Sequence, residues 1–236
     1  MSQCEAPAGS PVPATIDLSV VMITMNEEQA VARVIGDIRK VAPAAEILLV
    51  DSSKDRTAEI AQSLGARVIK QFPPKGYGPA MDMVLRGARG EVIVTLDCDG
   101  SYPAAMIPVL ARYVADGGWD LVDGARVSLK GKPAAMPWMN YLANIGFGLI
   151  ASLMFFRWLP DLHSGMRAYR RTLIQSLRYD PKGAALPVEL LTRSIKNGAR
   201  VKVIPIDYHD RIGVSTMRPL QSAWWTLKRL LWVRFS

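Results

Sequence analysis

The first half of the chain alternates short apolar runs with segments whose apolar residues recur at helical spacing. The runs predict β-strands at Leu18–Thr24, Glu46–Asp51, Ala66–Lys70 and Glu91–Asp97. The periodic segments predict α-helices at Ala30–Ile38, Arg56–Leu64, Pro79–Ala88 and Pro103–Ala115. Continuous apolar strands that alternate with helices are typical of a parallel sheet buried on both sides. The pattern therefore predicts an α/β fold with a mostly parallel central sheet and helices on both faces.

The second half continues this alternation and adds a long uncharged stretch. Strands are predicted at Trp119–Gly124 and Arg200–Tyr208, with a helix at Leu186–Asn197 between them. Pro133–Phe156 contains no charged residue and predicts a further helix at about 138–158.

The composition also predicts the domain organisation. Residues 1–17 are small and rich in proline, and we expect them to be disordered. Residues 18–217 are expected to form a single domain. Residues 218–236 combine apolar residues at helical spacing with basic ones and predict an amphipathic C-terminal helix.

The uncharged stretch Pro133–Phe156 is long enough to cross a bilayer, for which about 20 apolar residues suffice. A single crossing here would place Asp97 and Arg211 on opposite sides of the membrane, where they could not share a site. We therefore expect this helix to lie in the membrane interface. The C-terminal helix places Trp224 and Trp232 among basic residues, as interfacial helices do. The chain is predicted to be peripheral to a membrane surface.

The net charge of +8 favours a polyanionic partner, such as phosphate groups, an anionic bilayer or nucleic acid. The basic residues are dispersed and form no recognised nucleic-acid-binding motif, so nucleic acid is not expected. Cys4 and Cys98 cannot build a disulfide framework, which is typical of a reducing compartment. The first residues show no signal peptide. The expected location is the cytoplasmic face of the cell membrane.

The most specific chemical signal is a pair of acids, Asp97 and Asp99, directly after the apolar strand Val92–Val94. Ligands of α/β sheets bind at the carboxyl ends of the strands. Two carboxylates at such an end can hold Mg²⁺ or Mn²⁺, whose remaining ligands are water and phosphate oxygens. The metal would neutralise the charge of a departing diphosphate. The alternative is that both acids only cap the loop and the next helix.

Polar residues also follow the other predicted strands, which favours the metal-site interpretation. Glu27 follows the first strand and Asp51 the second, where a carboxylate can accept hydrogen bonds from a base or a ribose. Lys75 precedes a Gly-Tyr-Gly sequence and a helix, a context suited to phosphate. Each has a structural alternative, because Asn26 and Asp55 are typical helix N-caps and glycines are typical of turns.

Arginines and one acid distinguish the second half. Arg167 lies in a Ser-Gly-Met-Arg sequence and Arg211 follows the last strand, so both are candidates for binding an anionic substrate. Asp161 is the general-base candidate if the acceptor is a hydroxyl, and its alternative role is to cap a turn. An acceptor phosphate is already ionised and needs arginines more than a base. His163 and His209 are too few for a zinc site and predict structural roles.

Taken in order, six short sequences resemble the motifs of the family-2 inverting glycosyltransferases of GT-A fold. They are Thr24-Met25-Asn26-Glu27, Val50-Asp51-Ser52-Ser53-Lys54-Asp55-Arg56-Thr57, Lys75-Gly76-Tyr77-Gly78, Asp97-Cys98-Asp99-Gly100, Ser164-Gly165-Met166-Arg167 and Arg211-Ile212-Gly213-Val214-Ser215. The chain is similar above all to the polyprenyl-phosphate branch of that family, typified by dolichol-phosphate mannose synthase. The resemblance extends from about Leu18 to Arg234.

The resemblance implies transfer of a sugar, with inversion, from a UDP- or GDP-sugar to a polyprenyl phosphate such as undecaprenyl or dolichyl phosphate. It implies that Asp97 and Asp99 hold the metal, Mg²⁺ or Mn²⁺. The residues that it places at the nucleotide are Thr24, Met25, Glu27, Asp51, Lys75 and Cys98. Those that it places at the donor and acceptor phosphates are Arg126 and Arg211, and those at the acceptor are Ser164, Arg167 and Ser215.

The sequence departs from the family pattern at some positions. Met25 stands where the family often has an aromatic residue, and Ser52 replaces a frequent second aspartate. Ser101 and Thr216 stand where mannose synthases often have Gln and Lys, which weakens that particular assignment. The sugar and the base remain open.

Two other enzyme classes remain as alternatives. One is an inverting glycosyltransferase that acts on a soluble or cell-envelope hydroxyl acceptor. A more distant one is a nucleotidyltransferase, but the loop after the first strand lacks the Gly-rich basic sequence that such enzymes usually show.

Overall fold

The computed structural model describes residues 11–127, 131–213 and 219–236, which contain one seven-stranded sheet with helices on both faces. The strands are β1 (Leu18–Thr24), β2 (Glu46–Asp51), β3 (Arg67–Lys70), β4 (Val92–Thr95), β5 (Leu121–Ala125), β6 (Arg167–Arg170) and β7 (Val201–Pro205). The helices are α1 (Val31–Val41), α2 (Thr57–Ser63), α3 (Tyr77–Gly87), α4 (Ile107–Ala115), α5 (Trp138–Phe155), α6 (Arg171–Ser176), α7 (Leu186–Lys196) and α8 (Pro219–Phe235).

The strand order is β3-β2-β1-β4-β6-β5-β7. Strand β1 pairs in parallel with β2 and β4, β2 with β3, and β5 with β7. Only β6 of the described strands is antiparallel, to both β4 and β5. The other six strands therefore end at the same edge of the sheet, and the loops that follow them meet there.

The two faces of the sheet bury separate apolar layers because successive side chains of a strand point to opposite sides. Val20 and Met22 of β1 pack with α1, α2 and α4, whereas Val21 packs on the other face with α3, α6 and α7. Helix α1 buries the predicted apolar stripe of Val31, Val34, Ile35 and Ile38. The predicted α/β architecture is confirmed.

Strand β6 and helix α6 are absent from the sequence-based prediction. The four residues Arg-Ala-Tyr-Arg of β6 contain no apolar run that would indicate a strand. Pairing on both sides, with β4 and β5, satisfies their backbone hydrogen bonds instead. Arg170 ends β6, and Arg171 begins α6.

The expectation of disorder over residues 1–17 is wrong for residues 11–17. The Val12 amide donates to the Val41 carbonyl at 2.7 Å, and Arg112 donates to the Pro11 carbonyl at 3.1 Å. Val12 and Ile16 also pack against the core. Apolar side chains spaced between the prolines thus anchor this segment, while residues 1–10 lie outside the described ranges.

Helices α5 and α8 pack on each other and on α7, and both expose large apolar side chains. The exposed set includes Trp138, Met139, Leu142, Leu149, Leu153, Trp224, Leu231, Trp232 and Phe235. Among the described helices, α5 alone is long and apolar enough to cross a membrane. A single crossing by α5 would separate the residues that precede it from those that follow it. The two sets nevertheless meet, since Gly165 lies against Asp97.

Candidate active site

The acid pair lies at the carboxyl end of β4, in the middle of the sheet. Asp99 is buried, and its Oδ1 accepts hydrogen bonds from the amide and the hydroxyl of Ser101. Its Oδ2 lies 2.8 Å from a guanidinium nitrogen of Arg211. The amide of Ile212 donates to the Asp99 carbonyl at 2.8 Å, so the segment after β7 crosses directly over the acid pair.

Asp97 lies against the backbone of Gly165. A Cβ atom at position 165 would come within 2.8 Å of Asp97 Oδ2, so only glycine allows this approach. The Gly165 amide donates to the hydroxyl of Tyr102 at 2.7 Å, and Thr95 donates to the Gly165 carbonyl at 2.8 Å. Burial, and then the charge of Asp99, raise the pKa of Asp97 to about 6.

Glu27 belongs to the same acid cluster. It follows β1, and its amide donates to Thr57 Oγ1 at 2.8 Å. Burial raises the pKa of Glu27 to about 7, with Asp99 and Asp97 acting in the same direction and Arg211 opposing them. The residue predicted to contact the nucleoside therefore also shares the electrostatic environment of the acid pair.

The acid cluster consists of Glu27, Asp97 and Asp99, and its pair Asp97 and Asp99 provides the type of ligand that a hard divalent cation takes. Carboxylate oxygens are the donors that Mg²⁺ and Mn²⁺ prefer. Burial is the main cause of the raised pKa values of Glu27 and Asp97, followed by repulsion from Asp99. Among the described residues, no three His, Cys, Asp or Glu side chains are grouped closely enough to enclose a metal by themselves. Two carboxylates at one strand end match the one or two protein ligands that Mg²⁺ usually takes, with water and phosphate oxygens completing its shell.

Asp51, at the end of β2, is committed to partners within the protein. Its carboxylate is fully buried and accepts hydrogen bonds from Thr24 Oγ1 at 2.7 Å and from the hydroxyl of Ser53. It also pairs with Lys70 at 2.5 Å. Direct contact of Asp51 or Thr24 with a nucleoside is therefore not supported, because both polar groups are already used. They instead fix the loops after β1 and β2, where Met25 is exposed.

Gln71 holds in place the loop that contains Lys75. The Gln71 amide donates to the Asp51 carbonyl at 2.8 Å, and its side-chain oxygen accepts from the Lys75 amide at 3.3 Å. Lys75 itself is exposed at the start of α3. Gly78 is required for packing rather than for a turn, because a Cβ there would lie 1.9 Å from the Pro181 carbonyl oxygen. The loop leaves the ammonium of Lys75 available at the edge of the site.

Arg126 and Asp161 form a buried ion pair beside the acid cluster. Arg126 Nε lies 2.8 Å from Asp161 Oδ2, and its Nη2 donates to Oδ1 at 2.9 Å. The guanidinium also lies over the ring of Tyr208, 5.2 Å from its centroid. Burial acts to raise the pKa of Asp161, but the guanidinium of Arg126 outweighs it and the pKa is lowered to about 2. Both oxygens of this buried carboxylate bind Arg126, so the structure does not support Asp161 as a general base.

Arg167 is a structural residue, which corrects its predicted contact with the acceptor. The side chain is 1% exposed and pairs with Asp123 of β5, which is also buried. Its other nitrogens donate to the carbonyls of Leu162, at 3.0 Å, and of Pro187. A guanidinium that is enclosed and fully used in this way cannot reach a substrate.

Two further predicted contacts are also buried. The hydroxyl of Ser164 donates to the Gly124 carbonyl, so it joins the loop to β5 and does not face an acceptor. Cys98 is part of the hydrophobic core, and burial raises the pKa of its thiol. Neither side chain is available to bind a ligand. Ser215, also predicted at the acceptor, lies outside the described residues.

Sequence reasoning misses several residues that build the site. Tyr102 supports Gly165 from 63 positions away, and Gln71 and Lys70 support the loops at the nucleotide side. The signal for Asp123 is present, since it follows the apolar residues Leu121 and Val122. Partners such as Tyr102 have no local sequence signal, because only the fold brings them together.

Residues 19–178 match the family described as Glycosyl transferase family 2. The chain is 40% identical to the dolichyl-phosphate hexose transferase of Haloferax volcanii, over 86% of this chain and 87% of that protein. It is 30% identical to the polyprenol monophosphomannose synthase of Mycolicibacterium smegmatis, over 84% of this chain and 80% of the relative.

Solved structures with the same fold include glucosyl-3-phosphoglycerate synthase from Mycobacterium tuberculosis in complex with UDP. The TM-score is 0.73 with 22% identity, and the match covers 94% of this chain and 81% of that one. The same enzyme in complex with Mn²⁺, UDP and glucosyl-3-phosphoglycerate gives a TM-score of 0.72. These similarities show that the fold is of the GT-A class.

Proposed function

This chain belongs to glycosyl transferase family 2, and on that premise we propose that it transfers a hexose from a nucleotide-diphosphate sugar to a polyprenyl phosphate, with inversion. The donor is a UDP- or GDP-sugar, and the reaction is assisted by Mg²⁺ or Mn²⁺. The enzyme works at the cytoplasmic face of the membrane. Relatives named dolichyl-phosphate hexose transferase, polyprenol monophosphomannose synthase and undecaprenyl-phosphate mannosyltransferase support this acceptor class.

The state of Asp161 is the observation that carries the acceptor class. A hydroxyl acceptor needs a base to remove its proton, and the acid beside the acceptor element is locked to Arg126 with a pKa of about 2. A phosphate acceptor is already ionised at neutral pH and needs no such base. Arg126 and Arg211 both place positive charge close enough to lower the pKa of Asp97, which suits two anionic reactants.

The reaction is a single displacement at the anomeric carbon. An oxygen of the acceptor phosphate forms the new bond to that carbon while the bond to the donor diphosphate breaks. The nucleoside diphosphate leaves with the bonding electron pair, and no proton has to move. Attack from the face opposite the leaving group inverts the configuration.

The role that we propose for each site residue follows from its position. Asp97 and Asp99 would hold the cation, which supplies positive charge to the diphosphate. Lys75 and Arg211 lie on the exposed rim of the site, where they can contact the donor phosphates. Arg126 is held by Asp161 at the inner wall and orients the acceptor phosphate through its charge.

The exposed apolar side chains of α5 and α8 support a membrane surface as the source of the acceptor. Leu153 is 75% exposed and Trp224 is 66% exposed, and both lie on helices that pack on the catalytic sheet through α7. Apolar residues together with tryptophan and basic residues are typical of helices that lie in the lipid interface. A polyprenyl phosphate has its phosphate at that same depth.

The proposal is tested by following nucleoside diphosphate release from UDP- and GDP-hexoses with Mg²⁺ or Mn²⁺. Three vesicle preparations are compared, with undecaprenyl or dolichyl phosphate, with the corresponding unphosphorylated polyprenol, and with neither lipid. We expect release only with the polyprenyl phosphate. Equal turnover with the polyprenol, or with a water-soluble sugar alcohol, would instead support the hydroxyl-acceptor alternative.

A further inference from the structure

His163 lies at the junction between the active site and the two helices with exposed apolar faces. It belongs to the loop between α5 and β6, in a segment of residues 161–165 that contacts the site at several points. Asp161 in this segment pairs with Arg126, and Gly165 lies against Asp97. A shift of residues 161–163 therefore reaches Arg126 through Asp161, whereas Gly165 is held separately by Tyr102 and Thr95.

The ring of His163 joins this segment to both helices. Its Nδ1 lies 2.9 Å from the side-chain oxygen of Asn144 in α5, and its Nε2 lies 2.7 Å from the hydroxyl of Thr226 in α8. Asn144 and Thr226 are buried, and Phe147 of α5 packs edge-on against the ring. One side chain thus connects two helices whose contacting residues, Asn144 and Thr226, are 82 positions apart in the sequence.

The side-chain oxygen of Asn144 accepts, so Nδ1 carries a proton and donates to it. The hydroxyl of Thr226 can donate or accept, so it can bond to Nε2 of either a neutral or a protonated ring. In the neutral ring, Nε2 accepts the proton of the Thr226 hydroxyl. Burial lowers the pKa of His163 to about 4, with Arg126 and Arg167 acting in the same direction and Asp161 opposing them. Both bonds are therefore satisfied at neutral pH.

Hydrogen bonds through Asp161 connect His163 to the active site. The His163 amide donates to Asp161 Oδ1 at 3.1 Å, and the same carboxylate binds the side chain and the backbone amide of Arg126. The position of Arg126 therefore depends on the segment that His163 attaches to α5 and α8. Both helices also expose apolar side chains, which a bilayer would fix in place.

We propose that His163 is a positioning residue that couples the docking of α5 and α8 on a lipid surface to the placement of Arg126 at the acceptor phosphate. This inference rests on the proposed function. It assigns to His163 no contact with substrate and no proton transfer. Its effect is on the binding of the lipid acceptor, not on the binding of the nucleotide sugar.

The experiment compares His163→Phe, which keeps a ring but removes both hydrogen bonds, with His163→Gln, which can still donate and accept. One net hydrogen bond changes an equilibrium by about two- to tenfold. We expect His163→Phe to raise the KM for polyprenyl phosphate in vesicles about tenfold and to leave the KM for the nucleotide sugar within about twofold. His163→Gln should restore most of the difference. Flotation with vesicles should be unchanged, since the exposed side chains are intact.

Thr226→Val breaks only the link to α8 and keeps the shape of the side chain, so it should give an intermediate KM for the lipid. Thr192→Val is the matched control, because Thr192 is equally buried but its hydroxyl donates to the Val188 carbonyl within α7. Should His163→Phe fail to fold, Thr226→Val against Thr192→Val carries the test.

The outcomes separate the two proposals. A wild-type protein that transfers no sugar to polyprenyl phosphate overturns the proposed function. An active wild-type protein whose His163→Phe and Thr226→Val variants keep the normal KM for the lipid overturns the coupling alone. Equal increases in both KM values, with a lower Tm, would also overturn it and leave His163 a purely structural residue.

Discussion

The pairing of Asp99 with Arg211 would compete in part with the binding of a metal ion by the same carboxylate. Its Oδ2 is paired with Arg211, yet the same carboxylate is a candidate metal ligand together with Asp97. With a cation and a diphosphate bound, the diphosphate would give Arg211 a second anionic partner. The Asp99–Arg211 pair therefore keeps the buried carboxylate compensated until the substrates arrive.

We predict that Asp99→Asn lowers turnover at least about 100-fold, a loss of roughly 2.7 kcal/mol in transition-state stabilisation. The amide removes one negative charge from the cation site and weakens the pair with Arg211. Asp37→Asn is the matched control, since Asp37 is an acid on the exposed face of α1. Steady-state kinetics with and without EDTA measure both effects. Full activity of Asp99→Asn in EDTA would contradict the metal role.

Asp161 is predicted to matter for stability and not as a proton acceptor. Its folded pKa of about 2 lies below the ordinary value of 3.8. Its ionisation therefore stabilises the fold above pH 3.8, and this contribution is lost as the pH falls through about 2. Asp161→Asn should lower the free energy of unfolding by about 3–5 kcal/mol, because it leaves Arg126 buried without its partner. Urea denaturation at pH 7 measures this change.

The pH profile gives a second readout for the same residue. If Asp161 were the base, turnover would fall on acidification with an apparent pKa that Asp161→Asn abolishes. We expect instead that any acidic limb has the same midpoint in the wild type and in the variant. A limb that disappears in Asp161→Asn would contradict our assignment.

Strand β6 shows where sequence patterns stop being informative. The apolar runs predict the strands of the first half well, because each is buried on both faces and its pattern is local. The same local pattern also predicts that the motif residues after these strands lie at the strand ends. Strand β6 has arginine at both ends, and it exists because β4 and β5 pair with it and Asp123 neutralises Arg167. Such long-range partners leave no periodic signal.

We predict that Arg167→Met destabilises the fold by about 3–5 kcal/mol, because it leaves Asp123 buried without its counter-charge. Burial already raises the pKa of Asp123 to about 6 in spite of Arg167. Arg178→Met is the matched control at an exposed position and should change stability by less than about 0.5 kcal/mol. Urea denaturation of both variants measures the difference. The double variant Arg167→Met with Asp123→Leu should recover part of the loss, and no recovery would contradict the ion-pair explanation.

The molecule as a whole carries its candidate active site at one edge of the sheet and exposes apolar side chains on two neighbouring helices. Strand ends gather the acids and arginines, while α5 and α8 expose apolar side chains near the segment 161–165. The net charge of +8 adds attraction to an anionic surface. Sequence analysis anticipates these two features separately. The connection between them through His163 depends on the packing of three distant segments, which composition and periodicity do not reveal.

Membrane attachment through α5 is predicted to depend on single exposed side chains. Leu153→Asp should lower the fraction of protein that floats with anionic vesicles several-fold, because it places a charge in the apolar face. Leu64→Asp is the matched control, since Leu64 is an exposed leucine at the end of α2, on the other face of the sheet. Equal flotation of the two variants would show that α5 does not contact the lipid.

In the proposed reaction, the new glycosidic bond forms on a phosphate oxygen of a lipid. Phosphorus NMR of the lipid recovered after the reaction tests it most directly, because a phosphate monoester and a glycosyl phosphodiester give separate signals. We predict that nucleotide-sugar consumption is matched by conversion of the monoester to a phosphodiester, with an anomeric configuration opposite to that of the donor. A lipid phosphate that stays a monoester while the donor is consumed would contradict the account.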